Sequence, residues 1–230
     1  MNLDRIFLSE SHPCGKELHY VQHALEAKAI TSGGNVVRDF EEDLECYLGN
    51  SVIVNATNSG TSAIHLGLLL LGVKPGDEVI CQSMTFSASV NPILYIGASP
   101  VFVDSELDTW NMCPIALEEA IQDRISKGKK PKCIIVVDLY GMPYHADRIN
   151  EVANKYGIAV LEDSAEALGS RYKGVPCGTL GDIGVFSFNG NKIITTSSGG
   201  ALLLSDASQK ERAAFLATQA RDAAPYYQHS

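Results

Sequence analysis

The sequence predicts an α/β fold, a three-layer α/β/α arrangement built on a mostly parallel, seven-stranded sheet. Seven short β-rich runs alternate with helical stretches, and that order suits a parallel sheet covered on both faces. The connection around Gly199-Gly200 is short, so the run beginning at Ala201 is expected to lie antiparallel to its neighbours. Neither an internal repeat nor a low-complexity linker divides the chain, so residues 1–230 read as one large domain whose first 50 or so residues form a helical segment.

In chain order, residues 14–28 read as a helix with Leu18, Val21 and Leu25 on one face, broken by residues 31–34. A second helix, 37–48, carries Phe40, Leu44 and Leu48 four apart and ends at Gly49-Asn50. Val52-Ile53-Val54 is a short buried strand, followed by a helix over 60–71. Strand Val79-Ile80-Cys81 precedes a helix over 87–96. Strand Val101-Phe102-Val103 precedes a helix over 114–126, with Pro114 suited to the first turn. Strand 133–137 leads to a helix over 146–156. Strands 158–161, 183–188 and 201–204 follow, and a last helix covers 207–221.

The bulk numbers exclude several classes. A formal charge of −9 disfavours nucleic acid or an anionic membrane as partner, so an anionic ligand would need a local cationic or amide-lined pocket. The longest apolar stretch, residues 66–73, is too short to cross a bilayer. Residues 1–5 show no basic region before an apolar one, so no signal peptide is expected and the location reads as cytoplasmic. The six cysteines form no CxxC pair and read as reduced structural thiols; no Cys/His spacing suggests a metal. The histidines make no triad with a Ser or Cys, and no GxSxG is present.

Ligands of such sheets sit at the carboxyl ends of the strands. The loop after Val54 reads Asn55 to Ser62 and enters a helix. Free amides at that helix start, small residues and the hydroxyls of Thr61 and Ser62 suit a phosphate, and equally an ordinary Ser/Thr cap. Phe86, past the next strand, could stack on a flat ligand or fill the core. Asp138, at a strand end, could be a site residue and is read in preference as capping the turn. Asp163 ends an apolar strand, so its carboxylate needs a partner; a protonated pyridine nitrogen is one such partner, and an N-cap is the plainer role. Glu166, three residues on, faces the same pocket or completes a capping box.

The stretch 184–200 organises the rest. A strand ends in the breaker Asn189-Gly190-Asn191, and Lys192 follows, backed by Ile193-Ile194. A lysine between a buried strand and an apolar pair is partly desolvated, which favours the neutral amine that Schiff-base chemistry with a carbonyl or pyridoxal phosphate needs. Ser187 and Asn189 place a hydroxyl and an amide beside it, suited to phosphate oxygens.

Four segments, NSGTSAIHL (58–66), TFSASVNPI (85–93), VLEDSAEALGSRYKG (160–174) and FSFNGNKIITTSSGG (186–200), resemble in sequence and order the nucleotide-sugar aminotransferases of the DegT/StrS group. The likeness runs from about Phe7 to the end, and the wording is most similar to that of 4-aminotransferases acting on 4-keto-6-deoxy sugars, perosamine synthases among them. It implies the aspartate-aminotransferase fold and pyridoxal 5′-phosphate as cofactor, with L-glutamate and a nucleotide sugar as substrates and a homodimer with shared sites. It gives Lys192 the role of the lysine that binds the cofactor and moves the proton. Asp163 becomes the partner of the ring nitrogen and Phe86 the ring's stacking partner. Gly60, Thr61 and Ser187 become phosphate ligands, with Ser62 and Asn189 beside them. Glu166 faces the ring hydroxyl, where many relatives carry His or Gln; a carboxyl there would need a proton to donate. Lysine at 192 disfavours the dehydratase variants, which carry histidine at that place. Sugar contacts are expected near residues 30–33. The family continues past the position of Ser230 into a smaller domain, so the sequence reads as the large cofactor domain, and the rivals are an inactive remnant of such an enzyme and a pyridoxal enzyme acting on another sugar position.

Overall fold

In the computed structural model, which describes residues 9–30 and 34–229, the elements fall where alternation predicts. Helices α1 (Glu17–Glu26) and α2 (Asn35–Tyr47) lead into β1 (Ile53–Thr57), α3 (Gly60–Leu70), β2 (Glu78–Gln82), α4 (Asn91–Tyr95), β3 (Ser99–Val103) and α5 (Pro114–Ser126). Then come β4 (Cys133–Val137), α6 (Ala146–Tyr156), β5 (Ala159–Asp163), β6 (Arg171–Tyr172), β7 (Val175–Pro176), β8 (Ile183–Ser187), β9 (Gly200–Leu204) and α7 (Ala207–Ala217). No helix among the described residues is long and apolar enough to cross a membrane.

The sheet has seven strands in the order β1-β9-β8-β5-β4-β2-β3. Five strands pair in parallel, and β9 runs antiparallel to both β8 and β1. Six strands therefore point the same way, and their carboxyl ends share one edge with the start of β9. The pleat sorts side chains to two faces. Ile183 and Val185 of β8 and Leu202 and Leu204 of β9 pack with α3 and Ala213 of α7. Phe186 of β8 and Ala201 and Leu203 of β9 pack with Leu44 of α2 and its neighbour Leu48. Ile80, Ile134 and Val136 meet Leu117 and Ile121 of α5 and Ile149 and Ala153 of α6. Truncating Leu202, which is fully buried, to alanine is expected to cost about 2–5 kcal/mol in chemical denaturation.

Edge strand β1 would present free amides to solvent. Helix α2 covers them: Glu45 accepts from Val54 N at 2.7 Å and Glu41 from Ala56 N at 2.7 Å.

Three sequence expectations are corrected, and one strand pair goes unpredicted. The helix expected over 87–96 splits into a 3₁₀ turn, Ser87–Ser89, and the short α4, because Ser89 turns inward. The apolar stripe of α1 covers no core: Leu18, Val21 and Leu25 are exposed. The last helix stops at Ala217. The two-residue pairing of β6 with β7 is too short to leave a periodic signal. Of the break at residues 31–34 and the sugar-contact reading at 30–33, residues 31–33 lie outside the described residues.

Candidate active site

The carboxyl edge of the sheet opens into a cleft of about 490 Å³. Its floor is set by the junction of β8, β9 and β1. Gly200 lies opposite both Ser187 and Thr57 in the sheet register. The loop from β1 into α3 crosses directly over it: a Cβ on Gly200 would lie 2.4 Å from the carbonyl carbon of Ser59 and 2.5 Å from Gly60 N. A Cβ on Gly60 would lie 2.9 Å from Ser187 Cβ. Only glycines let the helix start sit this low against the strand ends. The result is a cup in which the first amides of α3 face the cleft at the positive end of the helix.

Gly60 and Thr61 line that cup with Ser187 and Asn189. Ser59 is a true cap, its Oγ accepting from Ser62 N at 3.1 Å. Ser62 is the exception among the candidates. Its hydroxyl is spent on Ser59 Oγ at 2.9 Å, and it is not part of the cleft wall. We expect Gly200→Ala to lift the helix start and cost about 1–3 kcal/mol through overpacking, with weakened anion binding in the cup, measured by thermal melting with and without phosphate.

Asp163 ends β5 with 4% exposure. Ser89 Oγ donates to its Oδ2 at 2.6 Å, and Ala165 N donates to Oδ1 at 3.3 Å. Thr85 Oγ1 lies 2.7 Å from Ser89 Oγ and backs it. Burial pushes the Asp163 carboxyl above the usual range; the Ser89 hydrogen bond opposes that shift. The 3₁₀ turn that broke the expected helix exists to deliver Ser89, 74 positions away in sequence. Neither Thr85 nor Ser89 was singled out from the sequence, because nothing local marks a serine whose partner is on another strand.

Phe86 stands on the cleft wall and is 74% exposed, so its ring packs into no core.

Lys192 follows the turn after β8, with Lys192 N donating to Asn189 O at 3.0 Å. Its side chain is only 11% exposed. The apolar pair credited with that burial does not supply it, since Ile193 and Ile194 are 65% and 55% exposed. The amine instead folds into the cleft and donates to Glu166 Oε1 at 3.1 Å. The other oxygen of Glu166 accepts from Tyr140 N at 2.9 Å. Tyr140 holds a left-handed backbone, φ 52°, and Gly141 follows it with φ 82°. Strain of this kind persists only where the surroundings hold it. Here Glu166 on one side and Ser170 Oγ, donating to Gly141 O at 2.7 Å, do so.

Lys192, Asp163, Glu166, Phe86, Gly60, Thr61, Ser187 and Asn189 thus line one cleft, although they come from four separate loops. An amine, a buried carboxyl, a bare aromatic face and an anion cup can together hold a flat, phosphorylated, nitrogen-bearing ring with a carbonyl.

The comparisons point the same way. Residues 14–230 match the DegT/DnrJ/EryC1/StrS aminotransferase family. The chain is 51% identical over 226 residues to the protein EpsN of Bacillus subtilis (strain 168), assigned as a pyridoxal phosphate-dependent aminotransferase, covering 98% of this chain and 58% of that protein. It is 43% identical over 198 residues to the GDP-perosamine synthase of Escherichia coli O157:H7, covering 86% of this chain and 52% of that enzyme. The PLP-form of Spr1654 from Streptococcus pneumoniae, assigned as a sugar aminotransferase, superposes with a TM-score of 0.88 at 32% identity, covering 97% of this chain and 60% of that one. The chain spans about half the length of the curated relatives it matches. Aminotransferases of this group use pyridoxal phosphate, and solved relatives include both PLP and PMP forms. With its motifs, its sheet and its cleft in agreement with that match, the chain belongs to the DegT/DnrJ/EryC1/StrS aminotransferase family.

Proposed function

We propose that the protein is a sugar aminotransferase that takes an amino group from L-glutamate and delivers it to the C4 carbonyl of a nucleotide-linked 4-keto-6-deoxy sugar, a step toward a glycan or polysaccharide precursor. One observation carries the reading: the Lys192 amine shares a cleft with a buried Asp163, an uncovered Phe86 and the amide cup at Gly60. The sugar class is supported by the name of the Escherichia coli relative and by the segments around 160–174 and 186–200.

Pyridoxal phosphate fits these residues. The cup is amide-lined and lacks a Cβ where an anion must approach, and Asp163 has hydrogen-bond donors and, among the described residues, no ion pair at its carboxyl. When bound, the cofactor supplies an aldehyde and a ring that draws electrons from the reacting carbon. The Gly60 amide and the hydroxyls of Thr61 and Ser187 hold the phosphate, with Asn189 beside them. The Asp163 carboxylate, aimed by Ser89 and Ala165, keeps the ring nitrogen protonated. Phe86 covers one ring face and excludes water from it. Glu166 faces the ring hydroxyl and orients the Lys192 amine. Lys192 Nζ takes the proton from the substrate carbon and returns it on the other side of the transfer.

A homodimer with shared sites, in the cytoplasm, belongs to the same reading. Exposed Phe86 on the cleft wall, with exposed Tyr140 and Ile193 next in sequence to the lining residues Leu139 and Lys192, supports a second copy packing there.

The test is a single-turnover assay. Cofactor-loaded protein and L-glutamate should release one equivalent of 2-oxoglutarate. The stored amino group should then pass to one member of a panel of UDP- and GDP-linked 4-keto-6-deoxy sugars, identified by mass spectrometry. Cofactor binding without any 2-oxoglutarate would reject amino transfer and support the inactive remnant.

A further inference from the structure

Behind the cleft wall, one face of the sheet away, Asp138, Glu162 and Cys177 meet in the core. Their ligating atoms lie within 4.8 Å of one another, and none of the three is more than 1% exposed. Among the described residues no ion pair reaches either carboxyl. Two buried carboxylates side by side without a cation repel each other and lose their hydration.

Counting hydrogens resolves the conflict. Ser164 Oγ lies 2.6 Å from Asp138 Oδ2 and 3.0 Å from Glu162 Oε1. A hydroxyl has one hydrogen, so it serves one of those oxygens, and the other contact needs a hydrogen from the carboxyl. Glu162 is the acceptor. Its Oε1 takes Gly178 N at 2.6 Å, and its Oε2 takes Leu180 N at 2.7 Å and Gly181 N at 3.1 Å. Three backbone donors fill three of its roughly four acceptor sites and favour the ionised form, leaving the fourth, on Oε1, for the Ser164 hydroxyl. Among the described residues one backbone donor reaches the Asp138 side chain, Tyr144 N at Oδ1 and 3.1 Å, and the Cys177 thiol is its other weak partner, so Asp138 is the carboxyl with room for a proton at Oδ2.

We propose that Asp138 is a neutral carboxylic acid in the folded protein, donating to Ser164, which in turn donates to Glu162, and that this chain positions the Glu166–Lys192 pair. The placement makes the link. Asp138 immediately precedes the turn Leu139–Gly141, whose Tyr140 N holds Glu166 Oε2. Ser164 lies two residues before Glu166. One proton thus pins both loops that hold Glu166 to the lysine. The surroundings agree: burial first and the Glu162 charge second lift the Asp138 carboxyl well above its ordinary range. The other groups facing it are Glu162 from β5, Cys177 after β7 and Tyr144 before α6; burial pushes the thiol and the phenol up, which leaves both neutral.

Two arms need no cofactor. In an Asp163→Asn background, which removes the other carboxyl that burial lifts, the protein at neutral pH should show the infrared carbonyl stretch of a buried neutral carboxylic acid, and adding Asp138→Asn should lose it. The folded chain holds a proton that the unfolded chain releases, so this group's share of stability falls as pH rises from its unfolded toward its folded pKa. The unfolding constant should climb by up to about tenfold per pH unit from this site, and Asp138→Asn should flatten that slope. A stretch or slope left undiminished when Asp138→Asn is added to the Asp163→Asn background would overturn the neutral acid.

The positioning arm, which rests on the proposed function, follows borohydride-trapped capture of pyridoxal phosphate by Lys192. Asp138→Asn can still donate to Ser164 and should capture within about twofold of wild type, whereas Asp138→Ala and Ser164→Ala should each slow capture about tenfold. Ser164→Ala keeps every backbone partner of both carboxyls and covers the case in which Asp138→Ala does not fold. Wild-type capture by Ser164→Ala would refute the positioning role.

Discussion

Lys192→Ala is expected to lower the half-reaction with L-glutamate by about 10⁴-fold or more, because one amine serves as both nucleophile and proton carrier. The cup at Gly60, the Asp163 carboxyl and the Phe86 face are untouched by this change, so pyridoxal phosphate should still enter the cleft and leave again on gel filtration. The fold should survive as well. Glu166 keeps its bond to Tyr140 N, and its side chain is 28% exposed, so the orphaned carboxylate retains partial hydration. A stability change within about 1 kcal/mol is expected, far below what would explain the lost rate. Lys192→Arg should be as inactive: guanidinium preserves the charge facing Glu166 but stays protonated and cannot attack a carbonyl. Stopped-flow absorbance with glutamate measures both variants. Either one retaining more than a tenth of the wild-type rate would remove Lys192 from the reaction.

Asp163→Asn should separate function from stability, and in opposite directions. The asparagine can accept from Ala165 N and donate to Ser89 Oγ, so both local bonds persist. It cannot hold a positive charge at a ring nitrogen, and the half-reaction should fall by about 10²–10³-fold. Stability behaves otherwise. Burial raises the carboxyl, so the native state favours its protonated form, and the contribution present at acid pH is lost as pH rises through the folded value. The neutral amide escapes that loss. The variant without cofactor should therefore match wild type near pH 4, exceed it increasingly as pH rises from the unfolded toward the folded value, and keep that margin at higher pH in thermal melts. A variant that is both destabilised at pH 8 and fully active would contradict the assignment of Asp163.

What the sequence disclosed depended on whether the signal was local. Residues 114–126 and 146–156 were legible to the residue: Pro114 opens the first, and Gly157, with φ 58°, closes the second in a left-handed cap. The antiparallel turn of β9 was legible in the short link through Gly199-Gly200. Lys192, Asp163, Phe86 and Gly60 were legible because each stands just beyond a strand, where an α/β sheet presents its ligands. Ser89 was not, since its inward turn answers to a carboxylate on a different strand. The environment of Lys192 was misjudged for the same reason: a flanking Ile-Ile pair looks like a wall in one dimension, while the actual wall is Glu166 and the turn at Tyr140. Asp138 was read as organising its turn, and it does bind Tyr144 N; its second bond, to Ser164, could not be anticipated without β4 and β5 lying side by side.

The central claim is that the Lys192 amine, and no other, meets the cofactor. Wild-type protein should be loaded with pyridoxal phosphate, reduced with borohydride, digested and mapped by mass spectrometry. The account predicts one pyridoxyl group per chain, confined to the peptide that contains Lys192. Label spread over exposed lysines such as Lys127 and Lys129, or absent from Lys192, would contradict it.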